Sequence, residues 1–297
     1  MEISGVFYGD VHQIYELNYV PDIVFAQRPS GALTLQLLLP VPRGERERQG
    51  YRFPLVVDVP GSGWSGADGH RHVPAMTHIA EQGYAVACIS YRGTYRDDVR
   101  FPAAVQDLME AVRFLRAHAD EYGIDAGRVA LLGDSSGGHT VAMGALCGSE
   151  ERMNIGEHLD MDRTVSACVI FYGPNDFEHL VDDRLAEGKK LRPGEGEVPF
   201  EAHEMFQDDY KRDPAGMLRD ASATAHIVPG RAMPPFMFIQ GDEDAIIPVR
   251  QGVRFCARVR ECGGRAEFFK VAGAQHGRGC WTPQVYAQIV HFLNTYV

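Results

Sequence analysis

The run Gly133-Asp134-Ser135-Ser136-Gly137-Gly138 sets a serine among small residues. An apolar run at residues 128–132 precedes it and an apolar-periodic segment at 139–147 follows, so the serine belongs on a sharp turn from strand to helix. Such a turn strains the backbone of its central residue and needs small side chains two positions before and after it. Gly133 and Gly137 meet that need for Ser135, whereas Ser136 as nucleophile would put Asp134 where a small residue is required. A serine hydroxyl attacks poorly until a base within hydrogen-bond reach takes its proton, and that base needs a carboxylate to fix its tautomer. The pattern therefore calls for an acid and then a histidine downstream, each just past the C-terminal end of a strand.

Both are present. An apolar run at 236–240 leads into Gly241-Asp242-Glu243-Asp244-Ala245-Ile246-Ile247-Pro248, which offers three carboxylates. Asp244 is expected as the acid, Asp242 as a turn or capping residue and Glu243 as a solvated charge. The next strand candidate ends in Val271-Ala272-Gly273-Ala274-Gln275-His276-Gly277, and His276 is expected as the base. Another of the 12 histidines, His139, is expected to pack behind the nucleophile. Upstream, Pro60-Gly61-Ser62-Gly63-Trp64-Ser65-Gly66 is small enough to turn backbone N–H groups toward a developing oxyanion; Ser62, Gly63 and the amide of Ser136 are the expected donors. Trp64, Tyr91, Tyr172 and Phe206 suit either an acyl or alcohol pocket or ordinary core.

Asp68-x-His70-x-His72 could suggest a metal, but no second ligand cluster has suitable spacing, so it reads as polar loop and helix start and no metal is expected. The glycine-rich turn lacks the lysine of a phosphate loop and the spacing of a dinucleotide fingerprint, so no cofactor is expected.

Positioning these groups requires a sheet. After a hairpin at 22–26 and 33–39 and a charged loop at 43–49, apolar runs recur at 53–59, 84–90, 128–132, 165–172, 236–240 and 266–271. Each suits a strand buried on both faces. Helical patterns lie at 73–82, from Phe101-Pro102 through Val105, Leu108, Met109, Val112 and Leu115, at 249–262, and at 283–293 after the capping residue Thr282. The alternation predicts a mostly parallel eight-stranded sheet with helices on both faces, in one domain spanning 1–297. Residues 175–233 break the alternation: they offer no strand, a breaker-rich Arg192-Pro193-Gly194-Glu195-Gly196 and a helical patch at 201–210, and read as a cap inserted over the site.

Composition narrows the partners. Twenty-nine Lys and Arg against 40 Asp and Glu give a net charge of −11, the wrong sign for a nucleic-acid surface. The segment after Met1 lacks a basic start and an apolar core, no apolar run approaches the roughly 18 residues of a membrane span, and the six cysteines form no CxxC. A cytoplasmic chain with reduced thiols is expected, with monomer and homo-oligomer both open.

As a set, Pro60-Gly61-Ser62-Gly63-Trp64, Ser90-Tyr91-Arg92, Phe101-Pro102-Ala103-Ala104-Val105-Gln106-Asp107, Gly133-Asp134-Ser135-Ser136-Gly137-Gly138-His139, Gly241-Asp242-Glu243-Asp244 and His276-Gly277 resemble α/β-hydrolases of the acetyl-esterase and bifunctional feruloyl/acetylxylan-esterase type, related to the hormone-sensitive-lipase group. The resemblance implies an α/β-hydrolase fold and a serine esterase acting on small-molecule esters of short or aromatic acids, such as acetyl or hydroxycinnamoyl groups. Two positions depart from the family's His-Gly-Gly-Gly-Trp loop: Pro60 stands for His and Ser62 for Gly, so the loop must be braced differently. A prolyl-oligopeptidase-type amide hydrolase and a noncatalytic ligand-binding protein on the same scaffold are the alternatives.

Overall fold

The computed structural model describes residues 14–43, 50–192 and 194–297. The segment after Met1 that bears on a leader, residues 44–49 of the charged loop, and Pro193 of the breaker-rich run lie outside the described residues.

In chain order the strands are β1 (Leu17–Arg28), β2 (Gly31–Pro40), β3 (Phe53–Val59), β4 (Ala85–Ile89), β5 (Ile124–Asp134), β6 (Ala167–Phe171), β7 (Phe236–Gly241) and β8 (Ala266–Val271). The helices are α1 (Val73–Ala80), α2 (Ala103–Ala117), the single turn α3 (Ala119–Tyr122), α4 (Ser136–Cys147), α5 (Leu180–Ala186), α6 (Phe200–Phe206), α7 (Pro214–Ala221), α8 (Val249–Glu261) and α9 (Pro283–Tyr296). All eight strands form one sheet in the order β1-β2-β4-β3-β5-β6-β7-β8. β1 with β2 and β2 with β4 are antiparallel, and the remaining pairs are parallel.

Side chains alternate between the faces of a strand, and the core divides accordingly. Leu55, Val57, Val59, Leu131, Cys168, Ile170 and Phe238 face α2, α4 and α8, against Leu108, Val112, Val141, Leu146, Phe255 and Val259. Val56, Val86, Leu132, Val169 and Ile239 face α1 and α9, against Met76, Ile79, Ile289 and Leu293. Each such side chain contributes about 1.5–3 kcal/mol on burial. β3 is buried along its whole length, as its unbroken apolar run suggests. β8 is a correction: it lies at the sheet edge, with only Ala266 of its six residues buried.

Because β3, β5, β7 and β8 run parallel, their C-terminal ends share one rim of the sheet, where ligands of open α/β sheets gather. The loops carrying Gly61, Ser135, Asp244 and His276 all leave from that rim.

Candidate active site

Between β5 and α4, Ser135 stands at φ 52° and ψ −122°, a region that costs a residue with a side chain about 1–3 kcal/mol. Its N–H donates to the Phe171 carbonyl at 2.9 Å, and its carbonyl accepts from the His139 amide at 3.0 Å, so both sides of the turn are held. The flanking glycines are obligatory on space alone. A Cβ at 137 would stand 1.9 Å from the Val59 carbonyl oxygen, and one at 133 would stand 2.6 Å from the Gly137 carbonyl oxygen.

The structure brings Ser135, His276 and Asp244 into one hydrogen-bonded chain. His276 Nε2 lies 2.9 Å from Ser135 Oγ, and His276 Nδ1 lies 2.8 Å from Asp244 Oδ2. Asp244 is fully buried. Its Oδ1 accepts from the amides of Ile246 (2.8 Å) and Ile247 (2.9 Å), and its Oδ2 also accepts from Gln240 Nε2 at 2.9 Å. An ionised carboxylate only accepts, so the hydrogen rests on His276 Nδ1 and leaves Nε2 to accept from the serine hydroxyl. Asp242 accepts from the Gly273 amide at 2.7 Å, which ties the acid loop to the histidine loop. Glu243 is exposed.

The loop after β3 is braced without a histidine at position 60. Gly61 N–H donates to Asp134 Oδ1 at 2.5 Å, Tyr91 OH donates to the Pro60 carbonyl at 2.9 Å, and the Ser62 hydroxyl pairs with Tyr91 OH at 2.8 Å. The Ser62 amide, expected as a free oxyanion donor, instead donates to Ser136 Oγ at 2.8 Å. Trp64 closes the loop from behind, its Nε1–H donating to His139 Nδ1 at 3.1 Å, while His139 Nε2 faces the Ala221 carbonyl at 2.8 Å. Burial pushes the His139 ring down to about 4, so it is a neutral connector between the nucleophile helix and the 175–233 segment, packed as its position behind the nucleophile suggests.

Ser135 opens onto a cavity of about 370 Å³ lined by Gly61, Ser62, Gly63, Asp134, Tyr172, His276 and Trp281, with Arg71 and His72 on one side. Of the four aromatic candidates, Tyr172 lines this cavity. Tyr91 is fully buried against Pro60, and Trp64 and Phe206 belong to a separate apolar cluster with Phe177, Leu180, Met205 and Leu218. Trp281 escaped the sequence reading; it stacks on Phe171 with centroids 4.0 Å apart and donates Nε1–H to Tyr172 OH at 3.2 Å. His72, expected only as a polar residue at a helix start, instead meets Asp58 and Asp134.

Residues 175–233 contain no strand among the described residues; α5, α6 and α7 build the apolar cluster over Trp64. Polar ties bind the segment to the acid loop. Lys189 Nζ donates to the Asp244 carbonyl, Arg184 Nε donates to the Ile246 carbonyl at 3.2 Å, and Glu187 accepts from the amides of Val249 and Arg250 at the start of α8. On α6, the Glu204 carboxylate approaches Gly63, with Oε1 3.5 Å from where a Cβ would stand. Burial pushes Glu204 up to about 7, against the pull of Arg192.

Cys147, Glu150 and His226 bring metal-ligand atoms within 4.8 Å of one another. Burial raises the Cys147 thiol to about 12, and Glu150 is engaged by Arg231 at 2.9 Å and Arg152 at 3.0 Å, so thiol and carboxylate are poorly placed to serve a cation. No helix among the described residues is long and apolar enough to cross a membrane.

The family model BD-FAE matches residues 44–259, well over half of the chain. The chain belongs to the BD-FAE family. Among curated relatives of this BD-FAE chain, LipM of Mycobacterium tuberculosis, a probable carboxylic ester hydrolase, is 30% identical over 210 residues, covering 70% of this chain and 45% of LipM. Esterase LipC of the same organism is 29% identical over 247 residues, covering 81% of this chain and 58% of LipC. The chain spans about half the length of the curated relatives it matches. Among solved structures, a truncated carbohydrate esterase from gut microbiota superposes with a TM-score of 0.78 at 21% identity, over 97% of this chain and 99% of that one. The fold is that of the α/β-hydrolases.

Proposed function

We propose that this chain is a serine carboxylic-ester hydrolase. The observation that carries the reading is the chain Ser135 Oγ to His276 Nε2 (2.9 Å) and His276 Nδ1 to Asp244 (2.8 Å), starting from a strained residue that lines a cavity. Ser135 Oγ attacks the ester carbonyl carbon as His276 Nε2 takes its proton; the tetrahedral intermediate collapses as the imidazolium returns that proton to the departing alkoxide. Water, deprotonated by His276, then attacks the acyl-enzyme, and the acid leaves as Ser135 regains its proton. The Gly63 and Ser136 amides are the proposed oxyanion donors, and the Ser62 amide joins them only by exchanging its bond to Ser136 Oγ.

The ester names of LipM and LipC support the bond class. A 370 Å³ cavity walled by Tyr172 and Trp281 suits a short or aromatic acyl group, acetyl or hydroxycinnamoyl, on a small alcohol or sugar. In this proposal residues 175–233 act as the cap, Trp64 and Phe206 hold it to the oxyanion loop, and the setting is cytoplasmic, in keeping with six unpaired cysteines, five of them buried.

The test is turnover of p-nitrophenyl acetate, butyrate and octanoate and of methyl ferulate by the wild type and Ser135→Ala, with p-nitroacetanilide as the matched amide. Wild-type ester turnover that collapses in Ser135→Ala supports the proposal. Equal rates for both proteins, or faster amide than ester cleavage, overturns it.

A further inference from the structure

Asp58 sits one residue before the end of β3, directly ahead of the oxyanion loop, and Asp134 ends β5, directly ahead of Ser135. Both carboxylates are buried. Between them stands His72, at the end of the short turn Gly69–His72. Its Nδ1 lies 3.0 Å from Asp58 Oδ2 and 3.3 Å from Oδ1, and its Nε2 lies 3.3 Å from Asp134 Oδ1. The Nδ1 contacts are hydrogen bonds and the Nε2 contact is an ion-pair distance. Burial raises the Asp58 carboxyl while His72 pulls it down, and a ring set between two carboxylates is favoured as an imidazolium. The same Asp134 Oδ1 receives the Gly61 amide, and Oδ2 receives Tyr172 OH at 3.1 Å.

We infer that His72 is a positioning residue for the hydrolysis proposed above: by bridging Asp58 and Asp134 it holds Asp134 on the Gly61 amide, and so sets the oxyanion loop against Ser135. This rests on the reading of Ser135 as nucleophile. The loop and the nucleophile are packed tightly enough for the coupling to be direct, since a Cβ on Gly61 would stand 2.6 Å from the Asp134 carbonyl oxygen and 2.8 Å from Ser135 Cβ. This arrangement also accounts for Pro60, which cannot brace the loop itself because it has no N–H. Without the cation, Asp58 and Asp134 would be two buried like charges with nothing between them, and one would take up a proton or turn away. If Asp134 turns away or takes that proton, it holds the Gly61 amide more weakly.

Among the described residues, these groups face His72 or its two carboxylates: Arg71 precedes it on its own turn, Cys88 of β4 faces Asp58, Tyr91 after β4 faces Asp134, Tyr172 follows β6, Trp281 meets the ring edge-on with centroids 5.9 Å apart, and Tyr286 comes from α9. Burial alone would push the ring down, but Asp58 and then Asp134 override it and raise its pKa to about 9. The clamp is therefore intact at neutral pH and released as pH rises through that value.

His72→Gln keeps size and a donor but loses the charge. In the folded variant, kcat on p-nitrophenyl acetate is expected to fall about 10- to 100-fold with KM nearly unchanged. Wild-type kcat should decline through an alkaline limb near pH 9, absent in the variant. Asp58→Asn is the second variant, should His72→Gln fail to fold; it removes the stronger of the two carboxylate pulls and is expected to move the alkaline limb to lower pH. A folded His72→Gln with wild-type kcat and the wild-type alkaline limb overturns the inference, as does an unmoved limb in Asp58→Asn. If the wild type neither turns over esters nor reacts with a fluorophosphonate probe, the reading of Ser135 falls, and this inference with it.

Discussion

Asp244→Asn changes one atom and should cost most of the activity. The carboxylate is met by donors on both oxygens: the Ile246 and Ile247 amides on Oδ1, and Gln240 Nε2 and His276 Nδ1 on Oδ2. An asparagine has one acceptor and one donor end. Keeping its oxygen on the two backbone amides, which cannot turn away, points its NH2 at Gln240 and His276. His276 Nδ1 must then accept, so the ring hydrogen moves to Nε2, where it faces Ser135 Oγ and can no longer take the serine proton. Holding the wrong tautomer at such a site costs about 10⁴-fold in kcat, or about 5 kcal/mol of transition-state stabilisation. The assay is kcat on p-nitrophenyl acetate for wild type, Asp244→Asn and Ser135→Ala, with thermal unfolding to show that the fold survives. A folded Asp244→Asn within tenfold of wild type would refute the tautomer argument.

Three further outcomes follow from particular contacts. Gly137→Ala drives a Cβ into the Val59 carbonyl oxygen at 1.9 Å, so activity should fall more than about 100-fold and the Tm should drop, whereas Gly196→Ala, with nothing within 4 Å, leaves both unchanged. His139→Leu strands the Trp64 Nε1–H and the Ala221 carbonyl; denaturant titration should show a loss of about 2–3 kcal/mol. Glu204, raised to about 7 from 4.5, binds its proton more tightly folded than unfolded. Stability should therefore fall as pH climbs between those values, and Glu204→Gln should lose less than wild type between pH 5 and 8 in thermal scans.

What was legible in the sequence was local. The bounds of β3 and β8 coincide with their apolar runs, and Thr282 accepts from the Val285 amide as a capping residue should. The small residues around Ser135 marked the turn because backbone crowding there admits nothing larger. An apolar run does not tell an edge strand from a central one, which is why β8 read as doubly buried. Helices α5 and α7 are too short for a clear period, although Asp213, accepting from the Gly216 amide at 3.0 Å ahead of Pro214, was a usable start signal for α7. The role of His72 was obscured by its neighbours, because its partners Asp58 and Asp134 come from two strands, β3 and β5, and are brought to it only by the sheet. The bond of the Ser62 amide was hidden for a similar reason: its acceptor, Ser136 Oγ, lies 74 positions along the chain.

The central claim is that Ser135 forms a covalent acyl-enzyme. Intact-protein and peptide mass spectrometry after brief reaction with a fluorophosphonate, and with p-nitrophenyl acetate under acid quench, tests it most directly. One adduct per chain is expected, on the peptide carrying Ser135, absent in Ser135→Ala and strongly slowed in Asp244→Asn. Ester turnover with no adduct, or with an adduct on another residue that persists in Ser135→Ala, would contradict it.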